Sequence, residues 1–315
     1  FKTKEGEAQG KILISCRTHY FRDRFEQSSL FLEKDRQGQK SANYRACELL
    51  PFEEEQIRQY FQKVLHYSKE ETKRLEELLE SVHNLKDLAQ RPYLLSLLTE
   101  HIPDLQTKKE QGRTINSASL YELTTQRWLG RDQGKHEFNT SHKQALMKAL
   151  ALKIHQNAGR SMNVDKLENW LDEWLLQNPA ITAAYSHITR ETLKKDLRTA
   201  TFIIRAGDKD FSFAHTSLQE YFLACYMADA VLEDKPELWA ISPPSLEILS
   251  FLAEILALEQ ERLTEQGDDK DLNQIMNKWR RTYQPQVSEL LLSYTLHTYT
   301  INSPETTPRA LLAGW

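Results

Sequence analysis

The chain has 315 residues, of which 40% are hydrophobic and 27% are charged, with 10 glycines and 10 prolines. This composition is typical of helix-rich globular protein and excludes a disordered chain, and the formal net charge of -4 excludes broad electrostatic capture of nucleic acid or anionic membrane. Because single hydrophobic cores rarely extend beyond roughly 250 to 300 residues, we expect several domains.

The first 50 residues contain two short apolar runs. KILISC, residues 11–16, follows a polar segment and predicts a buried strand of a parallel sheet, and ACELL, residues 46–50, is a weaker strand candidate. We therefore expect residues 1–50 to be the remnant of an α/β core. The chain begins at Phe1 without a signal-peptide pattern, so we expect it to be a piece of a longer protein.

From Pro51 the hydrophobic period changes to that of helices. Pro51 and the acidic residues after it suit a first helical turn, and the apolar positions from Ile57 to Leu65 predict one buried face. Further amphipathic helices are predicted at 68–90, 92–104 and 117–131. These elements form a predicted helical domain over 51–133, which ends in the polar segment GRDQGKHEFNTS.

The next block, 134–235, has the order of elements of a winged helix. Helices are predicted at 142–157, 163–177 and 189–200, and two β-type runs, TFIIRAG and DFSFAHT, follow them. The residues between the two runs, from Gly207 to Asp210, form a hairpin turn signal. Three helices and a β-hairpin constitute a winged helix. Residues 236–315 are predicted to be further helices, so the expected fold is mainly α with a small α/β remnant.

The junction FSFAHTSLQEYF suggests a binding site. Alternation places Phe211, Phe213 and His215 on one face of a strand, and Ser217 with Glu220 match a capping box for the following helix. Two interpretations of His215 stay open. It is either a histidine of the core, or an imidazole donor at a helix N-terminus, where backbone N–H groups and the helix dipole favour a phosphate.

Four stretches together resemble the NACHT family of STAND nucleotide switches, specifically its bacterial members. They are KILISCRTHYF, LAQRPYLLSLL, SLYELTTQRWL and FSFAHTSLQEYF, and they follow one another in the family's order over about residues 8–230. In that family a P-loop core of the AAA+ type binds ATP or ADP, and the helical and winged-helix domains fold over the nucleotide. The resemblance implies a switch that couples nucleotide exchange to domain opening and self-association, in signalling or in defence against phage.

The resemblance also implies three nucleotide-contacting residues. Arg17 looks like the sensor 1 arginine that reads the terminal phosphate, Pro92 looks like the proline that packs near the adenine, and His215 looks like the histidine that contacts the β-phosphate of ADP. The family often has a glycine two places before that proline, where this chain has Gln90.

The residues that hydrolyse ATP are missing from the sequence. No G-x-x-x-x-G-K-[ST] motif occurs, and no apolar strand ends in paired acids that hold magnesium. We therefore expect this chain to be inactive as an ATPase alone, with the P-loop, the Mg²⁺ ligands and an effector domain upstream in the same protein. No H-E-x-x-H pattern or histidine–cysteine cluster indicates a zinc site.

Two alternatives remain from the sequence. A DNA-binding winged helix would use the basic residues between Arg190 and Arg198, although the wing, GDKD, is not basic. A nucleotide-independent scaffold would use the helical parts to bind another protein. The cysteines Cys16, Cys47 and Cys225 lie far apart in sequence and form no C-x-x-C motif, which is typical of a reducing compartment. No apolar run reaches the length of a membrane span, so we expect a cytoplasmic protein.

Overall fold

The computed structural model describes most of the chain from residue 50 onward. The described residues are 50–81, 86, 89–92, 94–96, 98–100, 117–130, 137–157, 160–199, 202–282, 287, 290 and 294. The predicted strands KILISC and, apart from Leu50, ACELL lie outside this range. None of the described helices combines the length and the apolar character that a membrane span requires.

The first described helix begins later than predicted and passes from α-helical into π-helical geometry. Helix α1, Glu54–Gln59, has Glu53 as its N-cap, so Pro51 precedes the helix instead of occupying its first turn. A π-helical turn, Tyr60–Val64, follows directly, and the Leu65 N–H donates to the Tyr60 carbonyl. The wider turn rotates later side chains away from the predicted face. Val64, predicted to be on the buried face, is therefore 58% exposed.

Helix α2, Lys69–Ser81, leads to a corner at residues 89–92. The Phe52 N–H donates to the Gln90 carbonyl (2.6 Å), and the Leu95 N–H donates to the Arg91 carbonyl (2.9 Å). The second bond is the first of a helical segment that runs through the described residues from 92 to 100. Pro92 thus begins an apolar helix, as predicted, because its missing N–H is no loss at that position.

The winged helix is present. Helix α4, Thr140–Gln156, comes after α3, Ser117–Gly130, and is followed by the short strand β1, Ser161–Asn163. Three helices come next: α5, Val164–Gln177; α6, Pro179–Ala184; and α7, Arg190–Thr199. Strands β2, Ile203–Arg205, and β3, Asp210–Phe213, form the wing, with Gly207 at φ 115° in its turn. The sheet is antiparallel with order β1-β3-β2.

One helix lies at the centre of the core. Helix α8, Thr216–Leu232, packs against α3, α4, and two later helices, α9, Leu246–Glu265, and α10, Leu272–Thr282. A 3₁₀ turn, Pro236–Trp239, also contacts it, with the Trp239 indole donating to the Met227 carbonyl. The prediction of a central helix buried on nearly every side is confirmed.

Candidate functional site

The three residues that the sequence nominated have different outcomes. Arg17 lies outside the described residues, and its role stays a prediction. Pro92 is exposed at the first position of its helix. His215 is half-buried at the seam between β3 and α8.

His215 itself is the N-cap of α8. Its backbone is extended (φ -148°, ψ 148°), and its Nδ1 accepts a hydrogen bond from the Ser217 N–H at 3.2 Å. The predicted capping box of Ser217 and Glu220 is therefore wrong. The helix begins at Thr216, which places Ser217 inside the first turn with a fully buried side chain. A cap accepts the early N–H groups of a helix, and here an imidazole performs this role in place of a hydroxyl.

The predicted alternation buries Phe211 and Phe213 in the core but does not bury His215 fully. Phe211 and Phe213 are 1% and 5% exposed, whereas the His215 side chain is only half-buried. The change occurs because β3 ends at Phe213 and the chain turns into α8. His215 therefore continues the phenylalanine face of the strand to the edge of the core, where its side chain is partly exposed to solvent.

A chain of hydrogen bonds connects His215 to helix α3. The Ser217 Oγ lies 2.6 Å from the His215 Nδ1, and the Tyr121 hydroxyl donates to the same Ser217 Oγ at 2.8 Å. Because Nδ1 accepts the Ser217 N–H, a neutral imidazole carries its proton on Nε2. Nε2 is then a hydrogen-bond donor, which is the property that a phosphate contact requires.

The corner before Pro92 contacts the residue before His215. The Arg91 guanidinium donates to the Ala214 carbonyl across 123 positions of sequence. Arg91 directly precedes Pro92, and Ala214 directly precedes His215. The hydrogen bond therefore joins the neighbours of the two nominated residues, one in the helical part and one in the winged helix. Burial lowers the pKa of the Arg91 guanidinium, and among the described residues no carboxylate pairs with it.

The combined chemistry of this seam favours an anion. It contains the N-terminus of a 17-residue helix, an imidazole with its donor at Nε2 and a half-buried guanidinium. Helix N-termini carry partial positive charge, and a half-buried cation gains from a negatively charged partner. These groups together are suited to a phosphate.

Two of the four basic residues predicted for DNA binding form ion pairs within the protein. Arg198 forms a buried ion pair with Glu168, and the Lys194 Nζ lies 3.2 Å from the Asp172 carboxylate. The buried Asp196 accepts from the backbone N–H groups of residues 137 and 138. Helix α7 thus uses Lys194, Asp196 and Arg198 to hold the winged helix together.

In the part of the chain that the structure describes, we find no metal site and no reactive thiol. Within the described ranges, no three side chains of histidine, cysteine, aspartate or glutamate come together as a metal site. Burial raises the pKa of the Cys225 thiol to about 12, which keeps it protonated and unreactive.

Sequence reasoning missed Arg91 and Tyr121 as parts of this seam. Both lie within segments that carried the resemblance, LAQRPYLLSLL and SLYELTTQRWL. Membership of these segments was the only sequence signal for either residue, because each contacts a partner about 100 positions away in the chain.

Two comparisons with known proteins agree with this architecture. Residues 118–227 match the family model of the winged helix-turn-helix domain C-terminal to NACHT. The chain is also 26% identical over 226 residues to an uncharacterized WD repeat-containing protein of Nostoc sp. (strain PCC 7120). That match covers 68% of this chain and 14% of the relative, so the chain spans about a seventh of the length of the curated protein it matches.

Proposed function

Because residues 118–227 form a winged helix-turn-helix domain of the kind that lies C-terminal to NACHT, we propose that the chain is the regulatory part of a NACHT-type nucleotide switch. In this role it closes over ADP or ATP bound by a P-loop core of the same protein. Exchange of ADP for ATP then opens the closed form and permits self-association, since a ligand shifts an equilibrium between two conformations only through its different contacts in each.

The observation that supports this proposal best is the hydrogen bond between Arg91 and Ala214. Arg91 and Ala214 are the sequence neighbours of Pro92 and His215, the proposed adenine and β-phosphate contacts, so this bond supports a site shared by the helical part and the winged helix. His215 offers Nε2–H to an anion, and the N-terminus of α8 adds favourable partial charge. We propose that Mg²⁺ is held together with the nucleotide by the P-loop core.

The test is the affinity of the full-length protein for ADP, measured by isothermal titration calorimetry. His215→Ala removes a donor to a charged group, and such bonds contribute about 1.5–3 kcal/mol, so we expect ADP to bind about ten- to a hundredfold more weakly. We also expect the variant to self-associate at lower ATP concentration, measured by light scattering. His187→Ala is the matched control, because His187 is an exposed histidine of the same winged helix. An unchanged ADP affinity in His215→Ala would overturn the assigned contact.

We further propose that the switch acts in signalling, with antiphage defence as the role that the family resemblance implies. A test is protection of cells expressing the full-length protein against a panel of phages. The His215→Ala variant should protect differently from the wild type, and equal infection with and without the protein would count against this role.

The DNA-binding and scaffold alternatives each predict a different experimental result. A DNA-binding winged helix would show salt-dependent retention on DNA that is lost in Lys194→Glu with Lys195→Glu. The ion pairs of α7 disfavour this alternative, because they occupy two of its four basic groups, Lys194 and Arg198. A pure scaffold would bind its partner protein equally well in the presence of ADP, ATP or neither.

A further inference from the structure

We infer that Tyr121 and Ser217 fix the tautomer and the orientation of the His215 imidazole, and so act as positioning residues for the phosphate contact. This inference rests on the proposed function. It concerns the buried side chains of Tyr121 and Ser217 and the half-buried side chain of His215, which we together call the relay.

The direction of each hydrogen bond in the relay follows from the backbone. The Ser217 N–H donates to the His215 Nδ1, so that nitrogen is an acceptor. The Ser217 hydroxyl, 2.6 Å from the same nitrogen, must then donate to it and accept from another group. Tyr121 supplies that donor at 2.8 Å. Every proton of the relay therefore points toward His215, and the imidazole proton remains on Nε2.

The relay is held in place by burial. Tyr121 is 1% exposed and Ser217 is 0% exposed, so neither hydroxyl exchanges its partner for bulk water. The Tyr121 ring is packed edge-on against Phe251, with centroids 4.8 Å apart, and lies 5.5 Å from Tyr221. In a low-dielectric interior, a buried polar group that loses its hydrogen-bond partner destabilises the folded state. The relay therefore stabilises the one arrangement of the imidazole ring in which all three side chains are hydrogen-bonded.

The consequence for binding is preorganisation. An imidazole that rotates, or that exchanges its proton between Nδ1 and Nε2, presents its donor to the phosphate only part of the time. A ring held in one tautomer avoids that entropic and energetic loss when the nucleotide binds. Helix α3, which carries Tyr121, thereby contributes to nucleotide affinity without contacting the nucleotide.

The test uses Tyr121→Phe, which keeps the aromatic ring and removes only the donor hydroxyl. The matched control is Tyr221→Phe, which removes another buried hydroxyl of the same aromatic cluster, one that bonds Thr125 and Cys225. We expect Tyr121→Phe to weaken ADP binding to the full-length protein about three- to tenfold, the effect of one hydrogen bond, and Tyr221→Phe to change it less than twofold. A second variant, Ser217→Ala, should weaken binding by at least as much as Tyr121→Phe.

A spectroscopic measurement separates positioning from a general loss of stability. With ¹⁵N-labelled histidine rings, the His215 signals, assigned by their absence in His215→Ala, should report the Nε2–H tautomer in the wild type. Ser217→Ala and Tyr121→Phe keep the backbone N–H donor to Nδ1 but remove a hydroxyl of the relay, so their signals should report a larger share of the Nδ1–H tautomer than the wild type, whereas Tyr221→Phe should keep the wild-type tautomer.

The outcomes distinguish the two proposals. If His215→Ala leaves ADP affinity unchanged, the proposed function fails. If His215→Ala weakens binding but Tyr121→Phe behaves like Tyr221→Phe in affinity and tautomer, the proposed function stands and the relay inference is overturned. The relay also predicts that Tyr121→Phe has no additional effect on affinity in the His215→Ala background.

Discussion

The Arg91 guanidinium donates a hydrogen bond to the Ala214 carbonyl, which joins the helical part of the chain to the seam of the winged helix. The bond lies next to the start of two helices, one beginning at Pro92 and one beginning at Thr216. This hydrogen bond therefore helps to fix the relative position of the two helix starts.

Arg91→Ala is expected to loosen this seam. A hydrogen bond with a charged donor contributes about 1.5–3 kcal/mol, so we expect the free energy of unfolding in urea to fall by roughly that amount. Hydrogen exchange should become faster at the Ala214 and Ser217 amides. Arg74→Ala, which removes an exposed arginine of α2, is the control and should change neither measurement. Equal exchange rates in Arg91→Ala and the wild type would contradict a role for this bond.

Arg17→Ala tests the residue that lies outside the described range. If Arg17 reads the terminal phosphate, the full-length variant should retain its affinity for ADP and lose most of its response to ATP. The measurement is nucleotide-dependent self-association by light scattering. Wild-type oligomerisation with ATP in this variant would refute the sensor role.

The buried ion pair of Glu168 and Arg198 makes a strong prediction for stability. Both side chains are less than 10% exposed, at 7% and 8%. Glu168→Ala leaves a buried guanidinium without its partner, which typically costs about 3–5 kcal/mol, so we expect a large loss of stability in urea denaturation. Replacing both residues by apolar side chains should restore much of it. A loss below about 1 kcal/mol in the single variant would show that the pair is not energetically coupled.

The raised pKa of Glu220 predicts that stability decreases as pH rises. Burial, followed by the nearby charge of Glu247, raises its pKa above the ordinary 4.5, and its Oε2 is buried with no hydrogen-bond partner among the described residues. A carboxyl with a raised pKa in the folded state binds protons more tightly there than in the unfolded state. Its contribution to stability is therefore fully present below the unfolded pKa and is lost as pH rises through the folded pKa.

Glu220→Gln is accordingly expected to stabilise the protein at pH 7.5 and to have little effect near pH 4. Because Glu220 is only half-buried, solvent screening limits the gain to under about 1 kcal/mol. Urea denaturation at both pH values measures it. Glu173→Gln, at an exposed position of α5, should have no effect at either pH. A Glu220→Gln variant that is less stable at pH 7.5 would contradict the raised pKa.

Much of the architecture follows from local sequence. The helices predicted at 142–157, 163–177 and 189–200 agree with α4, α5 and α7 within two residues, because caps and a 3.6-residue period are local signals. The hairpin of β2 and β3 was predicted by its turn residues. The strand β1 was missed, since three residues carry too little alternation, and it exists only through its pairing with β3.

The sequence by itself determined the winged helix and the central burial of α8, because periodicity and turn residues are properties of neighbouring residues. The choice of Pro92 and His215 as nucleotide contacts came from the resemblance to the NACHT family. Only the tertiary structure decided that His215 is the cap of α8, that the Tyr121 hydroxyl meets the Ser217 hydroxyl beside its imidazole, and that Arg91 bonds Ala214. These contacts join residues up to 123 positions apart, and which distant donor meets which acceptor depends on how the helices pack.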